Sequence, residues 1–230
     1  LVPGDFQFAF QRALVPPQAV DRLDAQRQLC SAAVKIGVPG AQAASRFLRV
    51  FPYKDGAGHV ERVSADRMGM LATAMNCLAF ADVLRQSGGE AKVLTAVDIQ
   101  GVGERYSTDK AIEYLKSGKV VMFGCGTGCP FFSTDTAAVL RAAEIGADAI
   151  LLAKNIDGVY SADPKVDPSA VKYDSISYDD VLAQHLAVMD STATSLAMDN
   201  DIPVIVFALA EPENIVRVLQ GEKLGTTVTK

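Results

Sequence analysis

Short apolar runs, rich in β-branched residues, alternate with amphipathic stretches along most of this chain. The runs lie at 92–97, 120–123, 149–153 and 203–209, with a shorter one at 226–229. Strands without polar alternation are buried on both faces, and helices between them are the crossovers that parallel pairing requires. The pattern predicts an α/β chain built on a mainly parallel sheet. Such sheets take ligands in the loops beyond the carboxyl ends of their strands. The loops after Phe123 and after Ala153 are therefore the places to look for chemistry.

The helical stretches carry their own punctuation. Residues 64–85 place Met68, Leu71, Met75, Leu78 and Val83 at helical spacing, which predicts an inward-facing stripe, and Gly88-Gly89 ends it. Residues 107–116 open on Ser107 or Thr108 as cap, turn Ile112 and Leu115 inward and stop at Gly118. Further helices are expected at 135–145, ended by Gly146, and at 178–184, 191–198 and 212–219, while 157–171 is a Pro-, Gly- and Asp-rich excursion. No internal repeat or linker divides the chain, so a single domain over 1–230 is expected.

Composition narrows the function classes. The net charge is −5, without the basic footprint of a nucleic-acid binder. There is no apolar run of membrane-spanning length, and the first residues lack the charged-then-apolar pattern of a secretory leader. Four cysteines in 230 residues do not form a disulfide scaffold. A cytoplasmic protein with reduced thiols is expected. One asymmetry stands out: residues 1–52 hold five Arg, one Lys, three Asp and no Glu, whereas the remainder is acidic. In that segment only 19–34 has a weak helical stripe, and no strand is expected.

Four stretches carry chemistry. Gly124-Cys125-Gly126-Thr127-Gly128-Cys129-Pro130-Phe131-Phe132-Ser133-Thr134-Asp135 follows a buried strand and opens a helix. Its glycines allow close backbone approach, Phe131 and Phe132 offer flat apolar surface, and Ser133 and Thr134 stand where a helix N-terminus presents unpaired amides to anionic oxygens. The bland reading is a strand-to-helix turn with Thr134 as its cap. Neither the P-loop nor the dinucleotide fingerprint is present. Next, Asp157-Gly158-Val159-Tyr160 and Ala162-Asp163-Pro164 are turn sequences that also supply a ring and a carboxylate for a nucleotide. Asp66, in Ser64-Ala65-Asp66-Arg67-Met68-Gly69-Met70-Leu71-Ala72-Thr73, sits in the expected first turn of a helix, where the dipole favours it. Asp190, in Val188-Met189-Asp190, could serve simply as an N-cap. His59 and His185 have no metal-like spacing, and Cys125 and Cys129 lack a second ligand pair, so no metal site is expected in the protein itself.

Taken together and in this order, with the closing Gly221-Glu222-Lys223 and Gly225-Thr226, these stretches resemble the bacterial UMP kinases of the amino-acid-kinase superfamily from about residue 54 onward. The resemblance implies a three-layer αβα sandwich with a mainly parallel central sheet, assembled as a homohexamer. It implies transfer of the ATP γ-phosphoryl group to UMP with Mg2+, a step of pyrimidine nucleotide biosynthesis, with GTP and UTP as effectors. Matched residue by residue, Asp66 would hold the UMP ribose, and Thr127, Gly128, Cys129, Pro130, Phe131, Phe132, Ser133 and Thr134 would wrap the uracil and the UMP phosphate. Tyr160 and Asp163 would lie on the ATP side, and Asp135 and Asp190 at the acidic positions of the transfer. The alternatives are a non-catalytic nucleotide-binding or storage protein on the same fold, or a relative acting on an acidic metabolite, such as an acetylglutamate or carbamate kinase.

The sequence departs from the family pattern in three places. Cys129 stands where Asn is usual, and Lys154 where Thr or Asn commonly faces ATP, so that Lys154 serves a phosphate or points to solvent. Residues 1–52 contain neither a Lys-Leu-Ser-Gly-Glu-like loop nor a Gly-Gly-Gly-Asn loop, the family's phosphate-binding elements. The near-normal length, the lost motifs and the abrupt recovery near Lys54 point to a reading-frame change upstream of that point, the alternative being a true chain whose N-terminal half has diverged.

Overall fold

In the computed structural model, residues 6–10, 60–186, 188–209, 211 and 213–230 are described, the first five through their backbone. The chain forms two compact units, one closing at Phe132, the other opening at Ser133 and including the strand at 6–10. Each is taken by itself.

Among the described residues, the first unit holds one long helix, a shorter one and a parallel three-stranded sheet. Helix α1 (Arg62–Gln86) precedes β2 (Ala91–Thr95), β3 (Glu104–Arg105), α2 (Thr108–Lys116) and β4 (Val120–Gly124), with β1 (Phe6–Phe10) belonging to the other unit. Strand order is β3-β2-β4, in register from Ala91 opposite Val120 to Thr95 opposite Gly124. Ser107 caps α2 by accepting from Lys110 N at 3.4 Å, and Asp109 and Lys116 lie at the helix ends whose partial charges they oppose. The core gathers Ala81 and Leu84 of α1 with Ala91, Val93 and Met122 of the sheet. A second cluster joins Met70 and Ala74 to Cys125.

Here one expectation is overturned. Met68, Leu71, Met75 and Leu78 do not face inward; they are exposed, and α1 buries Met70, Ala72, Ala74, Ala81 and Leu84 instead. The small residues win the inner face because the sheet approaches closely: a Cβ on Gly124 would lie 3.3 Å from Ala74 Cα. α1 also begins at Arg62, so Asp66 lies beyond the first turn.

The second unit is a five-stranded mixed sheet with order β1-β5-β7-β8-β6, using β5 (Ala149–Lys154), β6 (Ser175–Ser177), β7 (Val204–Ala208) and β8 (Thr226–Thr229). β5 and β7 run parallel, as do β6 and β8, while β7–β8 and β1–β5 are antiparallel. With the first unit's sheet this makes the described pairing mainly parallel, as the alternation of runs required. The helices are α3 (Thr134–Ile145), α4 (Tyr178–Ala183), α5 (Ser191–Asp199) and α6 (Glu213–Leu219). Ile150, Leu152, Val204, Val206 and Val228 form a dry core with Val139, Ala193 and Ala197. Tyr178 is buried among them and donates its hydroxyl to Ile202 O at 2.6 Å. β8 approaches β7 so closely that Gly225, at φ +72°, has no room for a Cβ, which would stand 1.8 Å from Val206 O.

β1 was not expected. It pairs along its whole length with β5, Phe6 opposite Ala153 and Phe10 opposite Ala149. Phe-Gln-Phe-Ala-Phe has a period of 2, but over five residues the signal is too short to separate from chance. The expected helix at 19–34, and the rest of 1–52 apart from β1, lie outside the described residues. No described helix is long and apolar enough to cross a membrane.

Candidate active site

The loop after β4 is held in an unusual backbone conformation. Cys125, Gly126, Gly128 and Phe131 all have positive φ, at 67°, 58°, 81° and 72°. For the two non-glycine residues that is a strained region of the kind found at functional loops. Side chains of α1 hold it there. Thr73 Oγ1 donates to Met70 O (2.7 Å) and accepts from Cys125 N (2.8 Å). Asp66 accepts from Phe131 N at 2.8 Å and receives Arg62 Nε at 2.9 Å. The Arg62 guanidinium in turn sits 5.5 Å from the centre of the Phe131 ring. Thr127 closes the intervening turn, its Oγ1 accepting from Cys129 N at 3.1 Å. A Cβ on Gly128 would press to 3.2 Å of Ala96 O, so this glycine is required by both conformation and space.

The product is a rigid loop that displays two aromatic rings. Phe131 is 66% and Phe132 55% exposed, adjacent apolar rings of the kind a binding loop presents. The sequence named Asp66, Thr127, Gly128, Cys129, Pro130, Phe131 and Phe132 separately, and the structure brings Asp66 to the loop directly. Thr73 and Arg62 were missed as supports; Thr73 lay at the end of the stretch that carried the resemblance.

In the second unit, Ser133 rather than Thr134 caps α3: Ser133 Oγ accepts from Thr136 N at 3.0 Å, while Thr134 is the first helical residue and exposed. Asp190 caps α5 by accepting from Ala193 N at 3.0 Å, and also accepts from Ser133 Oγ and from Thr136 Oγ1 at 3.2 Å. One carboxylate therefore ties two helix N-termini together. Burial pushes its pKa up, but the donors from Ser133, Ala193 and Thr136 outweigh this and hold it below the usual carboxylate range. Asp135 lies in the first turn of α3, 3.8 Å from Lys154 Nζ. Lys154 does not point to solvent: its side chain is 13% exposed, and Nζ donates to Val188 O at 2.6 Å. Asp190, Ser133 and Thr136 thus form one hydrogen-bonded group, and the Asp135–Lys154 ion pair starts from the same first turn of α3.

Tyr160 and Asp163 are not drawn into it. Tyr160 donates its hydroxyl to Asp157 at 2.8 Å, and Asp157 also receives Lys172 at 3.1 Å. Burial raises the Asp157 pKa, but Tyr160 and Lys172 win and lower it. Asp163 is exposed and accepts from Lys165 N at 2.9 Å, the geometry of its own turn.

The thiols are quiet. Burial, helped by the neighbouring Cys125 thiol, pushes Cys77 up to about 12, and burial also raises Cys125. Cys77, Cys125 and the exposed Cys129 are free. Among the described residues no group of three or more His, Cys, Asp or Glu is placed to hold a metal ion.

Comparison with known proteins gives a consistent picture. The model of the amino acid kinase family matches residues 20–208, beginning well before the start near residue 54 expected from motifs. Among solved structures, the chain is similar to a UMP kinase from Ureaplasma parvum at 39% identity, over 74% of this chain and 73% of that one, with a TM-score of 0.71. It is similar to a UMP kinase from Bacillus anthracis at 33% identity, over 96% and 91%, with a TM-score of 0.77. A uridylate kinase from Archaeoglobus fulgidus matches at 25% identity, over 96% and 98%, with a TM-score of 0.63.

Proposed function

The chain belongs to the amino acid kinase family, and we propose that within it the protein is a UMP kinase, passing the γ-phosphoryl group of ATP to UMP to give UDP and ADP. The observation that carries the reading is the Asp66 clamp on the loop with Phe131 and Phe132, in a chain that is 39% identical to a UMP kinase. A rigid loop with exposed rings suits a nucleobase, and a carboxylate beside it suits ribose hydroxyls as donors.

In this reading Asp66 accepts from the ribose, and Thr127, Gly128, Cys129, Pro130, Phe131 and Phe132 surround the uracil. Ser133 and Thr134 lie at the α3 N-terminus, whose amides and dipole favour the UMP phosphate. Tyr160 and Asp163 serve the ATP side. In the transfer, a UMP phosphate oxygen forms a bond to the γ-phosphorus as the bond to the β–γ bridging oxygen breaks, and ADP leaves with that electron pair. Such a reaction needs positioned reactants and neutralised oxygens rather than a covalent nucleophile. Asp190 keeps two helix N-termini aligned while remaining ionised. Lys154 balances the charge of Asp135.

Mg2+ would enter with ATP. The two carboxylates, Asp135 and Asp190, are the hard oxygen donors that it takes, and their small number suits an ion held mostly by phosphate oxygens and water. When bound, it supplies neutralisation of phosphate charge. The reading extends to a cytoplasmic homohexamer in pyrimidine nucleotide synthesis, responsive to GTP and UTP. An assay of ADP release with UMP, CMP and acetylglutamate as acceptors tests it. UMP alone should stimulate release, slowly in a chain that lacks the family's N-terminal phosphate loops, and stimulation by acetylglutamate in its place would count against it.

A further inference from the structure

Asp66, the carboxylate proposed for the ribose, holds one end of the loop after β4, and Thr73 holds the other. The two residues are seven positions apart in α1, so they share one helix face, about 10 Å from each other along the axis. Asp66 accepts from Phe131 N, and Thr73 Oγ1 accepts from Cys125 N, both at 2.8 Å. One face of α1 therefore grips the first and the last residue of the segment 125–131. Those residues are also the loop's two non-glycine positions at positive φ, Cys125 at 67° and Phe131 at 72°. An L-residue in that region returns to negative φ unless its surroundings over-determine it.

At Cys125 the acceptor is itself fixed. The Thr73 hydroxyl gives its proton to Met70 O at 2.7 Å, inside the helix, and this stops its rotation and turns its lone pairs to Cys125 N. The strand delivers the chain to this point without slack. A Cβ on Gly124 would stand 3.3 Å from Ala74 Cα and 3.5 Å from Cys77 Sγ, so β4 already lies against the turn of α1 that carries Thr73. Cys125 is fully buried, whereas Phe131 and Phe132 are exposed. The strained conformation is thus set at a buried root, and the rings are displayed at the other end.

We infer that Thr73 is a positioning residue for the nucleotide: its hydroxyl pins the root of the loop at Cys125 and so presets the Phe131 and Phe132 rings before the ligand arrives. The role in binding rests on the reading of this loop as the UMP site, whereas the pin itself does not. A preset loop spares the ligand the cost of ordering it. Removing the hydroxyl loses a hydrogen bond but also releases the strain at Cys125, so the two effects offset each other in stability and appear in binding.

The test compares Thr73→Val, which keeps the shape and drops the hydroxyl, with Thr73→Ser, which keeps the hydroxyl. Amide hydrogen exchange across 124–132 in the free protein, thermal melts and calorimetric titration with UMP are measured on the full chain. In Thr73→Val, exchange at 125–131 should quicken about tenfold or more and UMP affinity should fall about tenfold, while Tm stays within about 3 °C of wild type. Thr73→Ser should recover exchange and affinity to within about twofold. Wild-type protection of the loop in Thr73→Val would overturn the pin, whether or not UMP binds. A loosened loop with unchanged UMP affinity would overturn the positioning role, and equal losses in the Ser and Val variants would assign the effect to methyl packing and overturn both. Quickened exchange in Thr73→Val, restored by Ser, in a wild type that does not bind UMP would uphold the pin and sink the nucleotide reading.

Discussion

Replacing Asp190 separates what its carboxylate does for stability from what it does for transfer. In Asp190→Ala, α5 loses its N-cap bond from Ala193 N, and Ser133 Oγ and Thr136 Oγ1 lose a half-buried acceptor. A lost cap costs about 1 kcal/mol. Hydroxyls left without a partner cost about 1–3 kcal/mol, toward the low end here because both can rotate and Ser133 can still reach Thr136. The expected loss is about 2–3 kcal/mol, or a fall in Tm of roughly 4–12 °C for a chain of this size. Asp190→Asn should lose less than about 1 kcal/mol, since Asn caps as well as Asp and its amide can donate to the same hydroxyls. Both variants should lose phosphoryl transfer if the charge is what matters there. The pH dependence has a definite sign. The folded pKa of Asp190 lies below that of the unfolded chain, so its contribution is complete above the unfolded value and is lost as pH falls through the folded one. The gap in Tm between wild type and Asp190→Ala should therefore narrow as the solution is acidified below about pH 4. Thermal melts from neutral to acid pH, beside the ADP-release assay, measure all of this. An Asp190→Ala melt within about 1 °C of wild type, or an Asn variant as unstable as the Ala variant, would refute the argument.

Three further outcomes are expected. Asp66→Ala removes the acceptor of Phe131 N and the partner of Arg62, and should weaken UMP binding by roughly 10–150-fold on titration, the range for a charged hydrogen bond; unchanged affinity would contradict the clamp. Gly225→Ala should lower Tm sharply or abolish soluble expression, because its Cβ meets Val206 O in a left-handed residue, and a wild-type melt would sink the packing argument. Because residues 1–52 lack the lysine and glycine loops of the family, turnover should fall about four orders of magnitude below the ~1–100 s⁻¹ usual for kinases. Translating the gene in its other two frames should restore both motifs, and their absence from both frames would end the reading-frame explanation.

Much of the fold was legible because its signals are local. β8 at Thr226–Thr229 was readable outright, the cap of α2 as one of two neighbours, Ser107 or Thr108, and β4, β5 and β7 to within a residue or two. What could not be read is tertiary. β3 and β6 are two and three residues long, too short to show any period, and exist because longer neighbours offer them partners. The apolar stripe of α1 has the spacing of a core face, but the close approach of β4 selects the alanines for burial and leaves the larger residues outside. For the site, Asp66 and the loop with Phe131 and Phe132 came from separate stretches that the resemblance joined, and the Asp66–Phe131 bond gives them a geometric reason. Asp190 was readable as a cap, but not its bonds to Ser133 and Thr136, more than fifty residues away in sequence. The position of Lys154 was ambiguous because only burial distinguishes a charge-balancing lysine from a solvated one.

The central claim is that UMP is the acceptor nucleotide, and calorimetric titration of the soluble chain with UMP, CMP and acetylglutamate tests it without requiring turnover. The account predicts saturable binding of UMP, weaker binding of CMP, none of acetylglutamate, and loss of the UMP signal in Asp66→Ala. Absence of UMP binding by the folded wild type, or binding of acetylglutamate in its place, would contradict it.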